Sequence, residues 1–462
     1  MNYHRYFGRS ERAVETCLVG TGHFGRSYLH QALKSKLLSC RVAVDIDANT
    51  AADAWRAAGV APGEIALCET AAEARLAWDR GRTIAAGDLA AVIDLPIAVL
   101  VEATGHPEAG ARHAGMAVEA GWHVALVSKE VDIVIGAGLS KLAQQRGRVV
   151  TPIDGDQPSL LMGLVTWAEV LGLDIIAAGK SSEYDFVFDP ATDMVTSNGI
   201  SHHLPKLADA WAMGERDVAE LIAARAGIAA VLQQRTVPDL CELLIAANAV
   251  DLAPDRPDLH APILRINEVA TAFSTVSDGG ILRGERRIDV FNCLRQPDEV
   301  SFAGGVFVVV RCDDAASWRI LGDKGHILSR NERTALVYQP RHLLGIEAAT
   351  SILEAGLLGV SSGAESPQPR FDLAIRAEAD LAAGTMLSAD GHHHAIANCS
   401  GQAVAGGPLG DNAPIPYYLA ANRRLAKRVA KGDLIRCGDV EIAEDSHLAR
   451  LRRKQDALFF GK

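Results

Sequence analysis

The sequence lacks several features that would place it in a specialised class of protein. Its eight cysteines are scattered and form no C-x-x-C pair, so the pattern indicates neither a disulfide framework nor a zinc site. No apolar run reaches the roughly 20 residues that a membrane-spanning helix needs. The polar N-terminal segment has no apolar core of the signal-peptide kind. We therefore expect a cytoplasmic protein with buried thiols, such as Cys17, Cys241, Cys293 and Cys312.

The sequence also has fewer basic residues than acidic residues. The formal net charge is -11, which argues against a nucleic-acid or membrane partner, because both require a basic face. An apolar content of 48% and a charged content of 22% are typical of a globular protein. A chain of 462 residues is long for one hydrophobic core, so two or three domains are expected.

The most informative motif is a G-x-G-x-x-G formed by Gly20, Gly22 and Gly25, placed after an apolar run and before a helix-like segment. The first glycine allows a tight turn, the second lets the backbone approach a pyrophosphate, and the third lets helix and strand pack closely. The next apolar run leads into Asp45 and Asp47, at about the 20-residue spacing of a ribose-binding carboxylate. An ordinary glycine turn is the alternative, but it does not account for the agreement of all three elements.

The order of apolar and amphipathic segments predicts an α/β protein. Residues 13–153 alternate short strands with helices, the pattern of a Rossmann domain with a doubly wound parallel sheet. Residues 154–360 are predicted to form an α+β domain for substrate binding and dimerisation, ending in a long helix over 341–358. Residues 370–446 have short apolar stretches separated by turns, which indicates a small β-rich domain.

Polar side chains follow several of the predicted strands, where ligands of such sheets bind. Lys129 follows a strand directly, so it is placed to protonate or polarise a carbonyl, although a surface Lys-Glu pair is the simpler alternative. Asp154 and Asp156 also follow a strand and are candidates for binding a divalent cation, such as Mg²⁺ or Mn²⁺, or for contacting substrate hydroxyls. A solvated Asp-Gly turn is the alternative there.

A second lysine, Lys180, ends another predicted strand. With His202, His203 and Lys206 nearby in sequence, it is a candidate for a cationic side of a cleft that binds phosphate or carboxylate. A run of three histidines, residues 392–394, is interpreted as a surface turn rather than a metal site.

Parts of the chain resemble known families. The stretches 19–25, 103–105 and 127–129 resemble the nucleotide-binding half of homoserine dehydrogenase, in which a lysine after the corresponding strand serves catalysis. That resemblance implies a catalytic role for Lys129.

Over nearly its whole length the chain resembles the deoxyxylulose-phosphate reductoisomerase-like oxidoreductases. The matching stretches are residues 130–136, 155–159, 177–180, 304–309 and 338–343. This resemblance implies a dimer of three-domain subunits that uses NADPH and a divalent cation on a phosphorylated sugar. The tail resembles a SAF domain, a small β module of sugar-acid enzymes and sialic-acid synthases.

Two departures from that family modify the expectation. Asp45 and Asp47 stand where NADPH users tend to carry a basic residue, so NAD is expected to be preferred over NADP. Gln157 stands where a second acid is expected, which places the isomerising chemistry in doubt. The expected activity is hydride transfer to or from a small polar carbonyl or alcohol, phosphorylated or not and derived from a sugar, a sugar acid or an amino acid. A reductoisomerase and a non-catalytic dinucleotide sensor are the alternatives.

The candidate residues form three sets. Those predicted to bind the coenzyme are Gly20, Gly22, His23, Phe24, Gly25, Asp45, Asp47, Thr104 and Gly105. Those predicted to act in catalysis are Lys129, Asp156 and Lys180, and those predicted to hold a metal are Asp154 and Asp156. The partners expected are a small-molecule substrate and a second copy of the chain.

Overall fold

A computed structural model describes residues 2–8, 12–390 and 394–461 of the chain. The strands are β1 (Val14–Val19), β2 (Leu38–Val44), β3 (Ile65–Cys68), β4 (Thr83–Ala86), β5 (Val99–Glu102), β6 (His123–Leu126), β7 (Val150–Pro152), β8 (Ile175–Ser181), β9 (Phe186–Asp189), β10 (Met194–Ser197), β11 (Ile200–His203), β12 (Ala253–Pro254), β13 (Ile263–Leu264), β14 (Arg287–Arg295), β15 (Val306–Arg311), β16 (Ile327–Leu328), β17 (Thr334–Gln339), β18 (Phe371–Ala377), β19 (Ala389–Asp390), β20 (Ala395–Ile396) and β21 (Cys399–Ala405). The α-helices are α1 (Tyr3–Tyr6), α2 (His23–Ala32), α3 (Ala48–Ala57), α4 (Ala71–Asp79), α5 (Pro107–Glu119), α6 (Lys129–Gln144), α7 (Gln157–Val170), α8 (Val218–Ile228), α9 (Val237–Ala249), α10 (Val269–Ala272), α11 (Ala315–Asp323), α12 (Ala349–Leu353), α13 (Tyr417–Ala420) and α14 (His447–Phe460).

The described residues form two compact units. The first unit combines the residues up to 159 with 343–387 and 405–461, and the second combines 160–342 with the described part of 388–404. The sequence-based domains 13–153, 154–360 and 370–446 stay predictions.

The first unit is built on a seven-stranded sheet in the order β3-β4-β2-β1-β5-β6-β7. Every neighbouring pair runs parallel. The central strands β5 and β6 are buried along their whole length, as expected of parallel strands covered on both faces. After β1 the chain moves to one side of the sheet, and after β4 it returns to the other side at β5, which places a topological switch point between β1 and β5. The predicted Rossmann-type α/β fold is confirmed.

Helix α2 packs against the sheet with one apolar face. Gly25, Tyr28, Leu29 and Ala32 are its buried residues, and their spacing is that of a single helical stripe. The buried hydroxyl of Tyr28 lies 2.7 Å from Oγ of Thr16 on β1, so the one polar atom on this stripe has a partner.

The second unit contains a mixed sheet whose longest path is β11-β10-β9-β14-β8-β15-β17-β16. Strand β8 pairs parallel with β14 and antiparallel with β15. Phe273, Phe291, Phe302 and Phe307 stack in the core with ring centroids 5.5–5.7 Å apart. This unit carries the α+β character expected for the middle of the chain.

Two expectations about individual segments have different outcomes. Residues 341–358 do not form one long helix, since a 3₁₀ turn (Leu344–Ile346), the short helix α12 and a π-helix (Glu354–Leu358) follow one another there. The β character of the tail is visible in the antiparallel bridges that join β18 and nearby residues to the segment 414–440. The identification of the tail as a SAF domain stays a prediction.

All eight cysteines lie within the described residues, and none of them forms a disulfide. None of the described helices is long and apolar enough to cross a membrane.

The C-terminal helix α14 packs on the Rossmann helices α5 and α6. Gly138 of α6 has no room for a side chain, because a Cβ there would lie 2.6 Å from Cβ of Gln455. Its backbone N–H donates to Oε1 of Gln455 at 2.7 Å. At the start of α14, Glu108 accepts hydrogen bonds from the hydroxyl of Ser446 and the backbone N–H of His447. A carboxylate at this position also complements the positive end of the helix dipole.

Arg452 of α14 is the most deeply buried charge in this contact, with 1% of its surface exposed. Its guanidinium binds both carboxylate oxygens of Asp372 at 2.7 Å and Oδ1 of Asp456 at 2.8 Å. Burial alone would lower the pKa of Arg452, but the two carboxylates reverse that effect and raise it. The guanidinium is therefore a fixed cation that joins the tail to the rest of the first unit.

We predict that Arg452→Met lowers the free energy of unfolding by about 3–5 kcal/mol, because two buried carboxylates lose their counter-ion. Urea denaturation followed by circular dichroism measures the change. Arg453→Met is the matched control, since Arg453 is the exposed neighbour on the same helix. Equal unfolding midpoints for the two variants would contradict the assignment.

Candidate functional site

The glycine-rich turn between β1 and α2 has a backbone that only glycine permits at two positions. Gly20 has a φ of +92°, and a Cβ there would lie 2.5 Å from the carbonyl of Ala103. A Cβ on Gly25 would lie 2.1 Å from the carbonyl oxygen of Gly20. The turn is thus pressed against the chain that leaves β5 and against the start of its own helix.

Gly22, the middle glycine, has a different environment. It is the N-cap of α2, and no side chain caps the helix there. A Cβ on Gly22 would meet no atom within 4 Å. The first-turn N–H groups of α2 therefore lie beside open space at the switch point of the sheet, with His23 exposed and Phe24 half-buried just after it. This is a cradle that fits a pyrophosphate, which helix N-termini bind through their free N–H groups and dipole.

The two candidate ribose carboxylates make different contacts. Asp45, directly after β2, accepts hydrogen bonds from the backbone N–H of Thr21 at 2.6 Å and from its hydroxyl at 2.5 Å. Asp47 caps α3, accepting from the backbone N–H groups of Asn49 and Thr50 and from the Thr50 hydroxyl. Hydrogen bonds from Thr50 lower the pKa of Asp47. Asp45 therefore binds the glycine turn, whereas Asp47 caps the N-terminus of α3.

The turn after β5 is held by a buried acid that the sequence analysis missed. Glu102 is fully buried at the end of β5, and its Oε1 accepts from the hydroxyl of Thr104 at 2.6 Å. The Gly105 N–H donates to Oγ of Ser128 at 2.8 Å, which joins the turns after β5 and β6. The signal in the sequence was an acid that ends an otherwise apolar strand, since such an acid needs a local partner.

Lys129 is the first residue of α6 and is half-buried. It follows β6, so it lies at the same carboxyl edge of the sheet as the glycine turn. Asp132, one helical turn further on, was also missed by the sequence analysis. Desolvation raises the pKa of Asp132 to about 7. Perturbed acids concentrate at functional sites, so the start of α6 is a candidate for proton chemistry.

Asp154 and Asp156 follow β7 in the first unit. Asp154 accepts hydrogen bonds from the hydroxyls of Ser159, at 2.6 Å, and Thr350, while its N–H donates to Oγ of Ser351 at 2.7 Å. Oδ1 of Asp156 accepts from the N–H of Gln157 at 2.9 Å. Asp154 therefore ties the strand end to the segment around α12.

The metal hypothesis finds no ligand cluster to support it. Within residues 2–8, 12–390 and 394–461, no group of three or more His, Cys, Asp or Glu side chains is arranged to hold a metal ion. A site at Asp154 and Asp156 stays a prediction. Residues 392 and 393 of the histidine run lie outside the described residues.

Lys180 lies in the second unit, at the end of β8, and is 2% exposed. Its ammonium forms ion pairs with Asp239, at 2.9 Å, and Glu242. Both acids are buried and lie three residues apart on α9. Two acids at helical spacing on an otherwise apolar helix were the signal that the sequence analysis overlooked.

The predicted cationic cluster around Lys180 stays a prediction. Lys206 is exposed in a 3₁₀ turn, whereas the Lys180 ammonium is enclosed by its two acids. His202 lies on β11 and contributes to a pocket in this unit. A direct catalytic role for Lys180 stays a prediction.

Comparison with known proteins gives one family match. Residues 155–348 match the family model for the catalytic domain of oxidoreductase DRL. The match covers less than half of the chain and includes most of the second unit. No curated protein matches the chain.

Several solved structures align with part of the chain. A levoglucosan dehydrogenase in complex with NADH and levoglucosan is 16% identical with a TM-score of 0.26, covering 39% of this chain and 45% of the other. A DOX-P reductoisomerase with magnesium is 16% identical with a TM-score of 0.27, covering 37% and 46%. A UDP-N-acetylglucosamine 3-dehydrogenase from Acidithiobacillus ferrooxidans is 16% identical with a TM-score of 0.27, covering 39% and 50%. The aligned part spans about half the length of these proteins, and at these scores the likeness carries no functional argument.

Proposed function

We propose that the protein is an oxidoreductase that uses NAD or NADP to interconvert a carbonyl and an alcohol on a small polar substrate. One observation carries the proposal. The glycine turn leaves open space over Gly22, beside uncapped N–H groups of α2, at the switch point of a parallel sheet. The match of residues 155–348 to an oxidoreductase catalytic domain supports the reaction class.

The proposed coenzyme site uses three groups of residues. Gly20, Gly22 and Gly25 shape the cradle for the pyrophosphate, and the first turn of α2 supplies N–H donors. Asp45 is the proposed acceptor for the hydroxyls of the adenosine ribose, because it already lies against the glycine turn. A carboxylate there repels a 2′-phosphate, so we propose a preference for NAD over NADP.

Lys129 is the proposed proton donor and acceptor for the substrate oxygen. Its position as the first residue of α6, directly after β6, supports this role. The bound nicotinamide supplies the redox chemistry. Lys129 would hold the proton that the substrate oxygen gains on reduction and take it back on oxidation.

Three further roles belong to the proposal. Asp156 is the proposed contact for a substrate hydroxyl, and Asp154 positions the loop that carries it through Ser159 and Thr350. Lys180 supports the second unit from within its ion pairs. We also propose a homodimer in the cytoplasm. A reductoisomerase or a dinucleotide sensor without turnover would differ in the measurements below.

The cradle predicts that Gly22→Ala folds normally but binds NAD at least about tenfold more weakly, a loss of about 1.4 kcal/mol or more. The added methyl meets no protein atom, but it occupies the space proposed for the pyrophosphate. Titration calorimetry with NAD measures the affinity. Gly63→Ala is the matched control, since it too adds a methyl in open space. Unchanged NAD affinity in Gly22→Ala would contradict the site.

Coenzyme preference distinguishes the two candidate carboxylates. We predict that Asp45→Asn shifts the ratio of NADP to NAD affinity toward NADP by about tenfold, because one charge that repels the 2′-phosphate is removed. Asp47→Asn keeps a capping side chain on α3 and should leave the ratio unchanged. The reverse result would transfer the ribose role to Asp47.

The proton role predicts that Lys129→Ala lowers turnover by about 10²–10⁴-fold with little change in NAD affinity. Reduced coenzyme is followed by absorbance with a panel of sugars, sugar acids, sugar phosphates and amino-acid semialdehydes. Lys141→Ala, at an exposed position of the same helix, is the control. Full turnover in Lys129→Ala would remove this residue from the mechanism. NAD binding without turnover on any substrate would favour the sensor.

A further inference from the structure

The second unit contains a pocket of about 210 Å³ beside the end of β8. It lies between that strand end, the β10–β11 hairpin and the residues that lead into α9. Its volume is below the ~300–1,000 Å³ typical of sites for drug-sized ligands, so it suits a molecule of monosaccharide size. None of the described residues that line it is Lys, Arg, Asp or Glu.

Two of the hydroxyl groups that line the pocket, those of Ser182 and Thr236, donate their protons to a buried carboxylate. The Ser182 hydroxyl donates to Oδ2 of Asp239 at 2.8 Å, and the Thr236 hydroxyl donates to the same oxygen at 2.7 Å. Asp239 also pairs with the Lys180 ammonium at 2.9 Å. With its proton directed at Asp239, the Ser182 oxygen can only accept a hydrogen bond from a ligand.

Asn292 on β14 adds a second acceptor to the pocket lining. It is 1% exposed, and its amide group donates to the backbone carbonyls of Gln234 and Ala261, both at 3.0 Å. Both amide protons are thereby used. The Oδ1 atom accepts no hydrogen bond from any other described residue, and it is the atom that a ligand donor would satisfy.

The ammonium of Lys180, which precedes Ser182 by two residues, is enclosed by two carboxylates. The Lys180 ammonium is 2% exposed, and the two carboxylates beside it outnumber its charge. A phosphate or carboxylate in the pocket would face the acceptor oxygens of Ser182 and Asn292 without a Lys or Arg counter-ion in the described lining, which is unfavourable. A hydroxyl group of a ligand, by contrast, can donate a hydrogen bond to these acceptor oxygens. Phe186 and Leu232 supply apolar wall for the C–H face of a sugar.

From this arrangement we propose that the pocket binds an uncharged, polyhydroxylated molecule, a free sugar or polyol rather than a sugar phosphate. The inference goes beyond the proposed function, because it assigns a ligand to a pocket whose described lining lies within the second unit alone. Ser182 and Asn292 are the residues that select for hydroxyl donors. The described lining contains His202 but no Lys or Arg, so a phosphorylated analogue would meet no permanent cation there.

Saturation-transfer NMR on the full chain without coenzyme tests the binding directly. The probes are D-glucose, D-xylose, myo-inositol, glucose 6-phosphate and inorganic phosphate. We expect signals from at least one of the first three and none from the two phosphates. Ile200→Trp, at the 60% exposed rim of the pocket, should abolish the signals, whereas Ile320→Trp, 56% exposed on α11, should retain them. Ser182→Ala should weaken binding about tenfold by removing one acceptor.

A charge placed at the rim gives a reciprocal test. Val231→Lys, at a 60% exposed lining position, should make glucose 6-phosphate bind, whereas Val170→Lys, 86% exposed outside the lining, should not. Equal or stronger binding of the phosphates to the unmodified protein would overturn the inference. So would the absence of any sugar or polyol signal, or a signal that survives Ile200→Trp. If NAD still binds in that case, the proposed function stands, and loss of NAD binding alone leaves this pocket assignment intact.

Discussion

The fold of the first unit depends on one close backbone approach, at the turn between β1 and α2. Gly20 packs against the carbonyl of Ala103, and Gly25 packs against the carbonyl of Gly20. A side chain at Gly20 would separate β1 from the chain leaving β5, and a side chain at Gly25 would separate α2 from the turn. The hydrogen bonds from Thr104 to Glu102 and from Gly105 to Ser128 hold the neighbouring turns in register. The same packing that closes the sheet also leaves the space over Gly22 open.

Three buried cations among the described residues are each paired with acids of the same unit. Lys180 is enclosed by two acids, Arg225 binds both oxygens of Glu268, and Arg452 lies between Asp372 and Asp456. Burying a charged side chain is costly unless the charge is paired. These pairs therefore connect elements of the fold, and their charges are already neutralised by protein groups. One consequence is that the Lys180 ammonium is enclosed by its ion-pair partners, while Ser182 and Asn292 line a pocket in the same unit.

Polar groups at the contact of the C-terminal helix α14 are also paired within the first unit. Helix α14 returns to the Rossmann helices, where Gln455 satisfies the backbone of α6 and Glu108 satisfies the first turn of α14. Because Glu108 lies in the first turn of α5, just after the turn at Thr104 and Gly105, the tail stabilises an element next to the proposed coenzyme site. This contact joins residues more than 300 positions apart in the chain, which no local pattern could reveal.

Local patterns in the sequence were sufficient for the elements whose physics is local. The spacing of Gly20, Gly22 and Gly25 predicted the turn and its helix, and the alternation of apolar and amphipathic segments predicted the parallel sheet of the first unit. Asp45 and Asp47 looked equivalent, because spacing does not show which side chain caps a helix and which faces a turn. Tertiary structure alone decided that Asp239 and Glu242 pair with Lys180, and that Ser182 and Asn292 present acceptors to a pocket. Those outcomes depend on contacts between distant segments, and the free energy of burying a charge is set by partners that the neighbouring sequence does not contain.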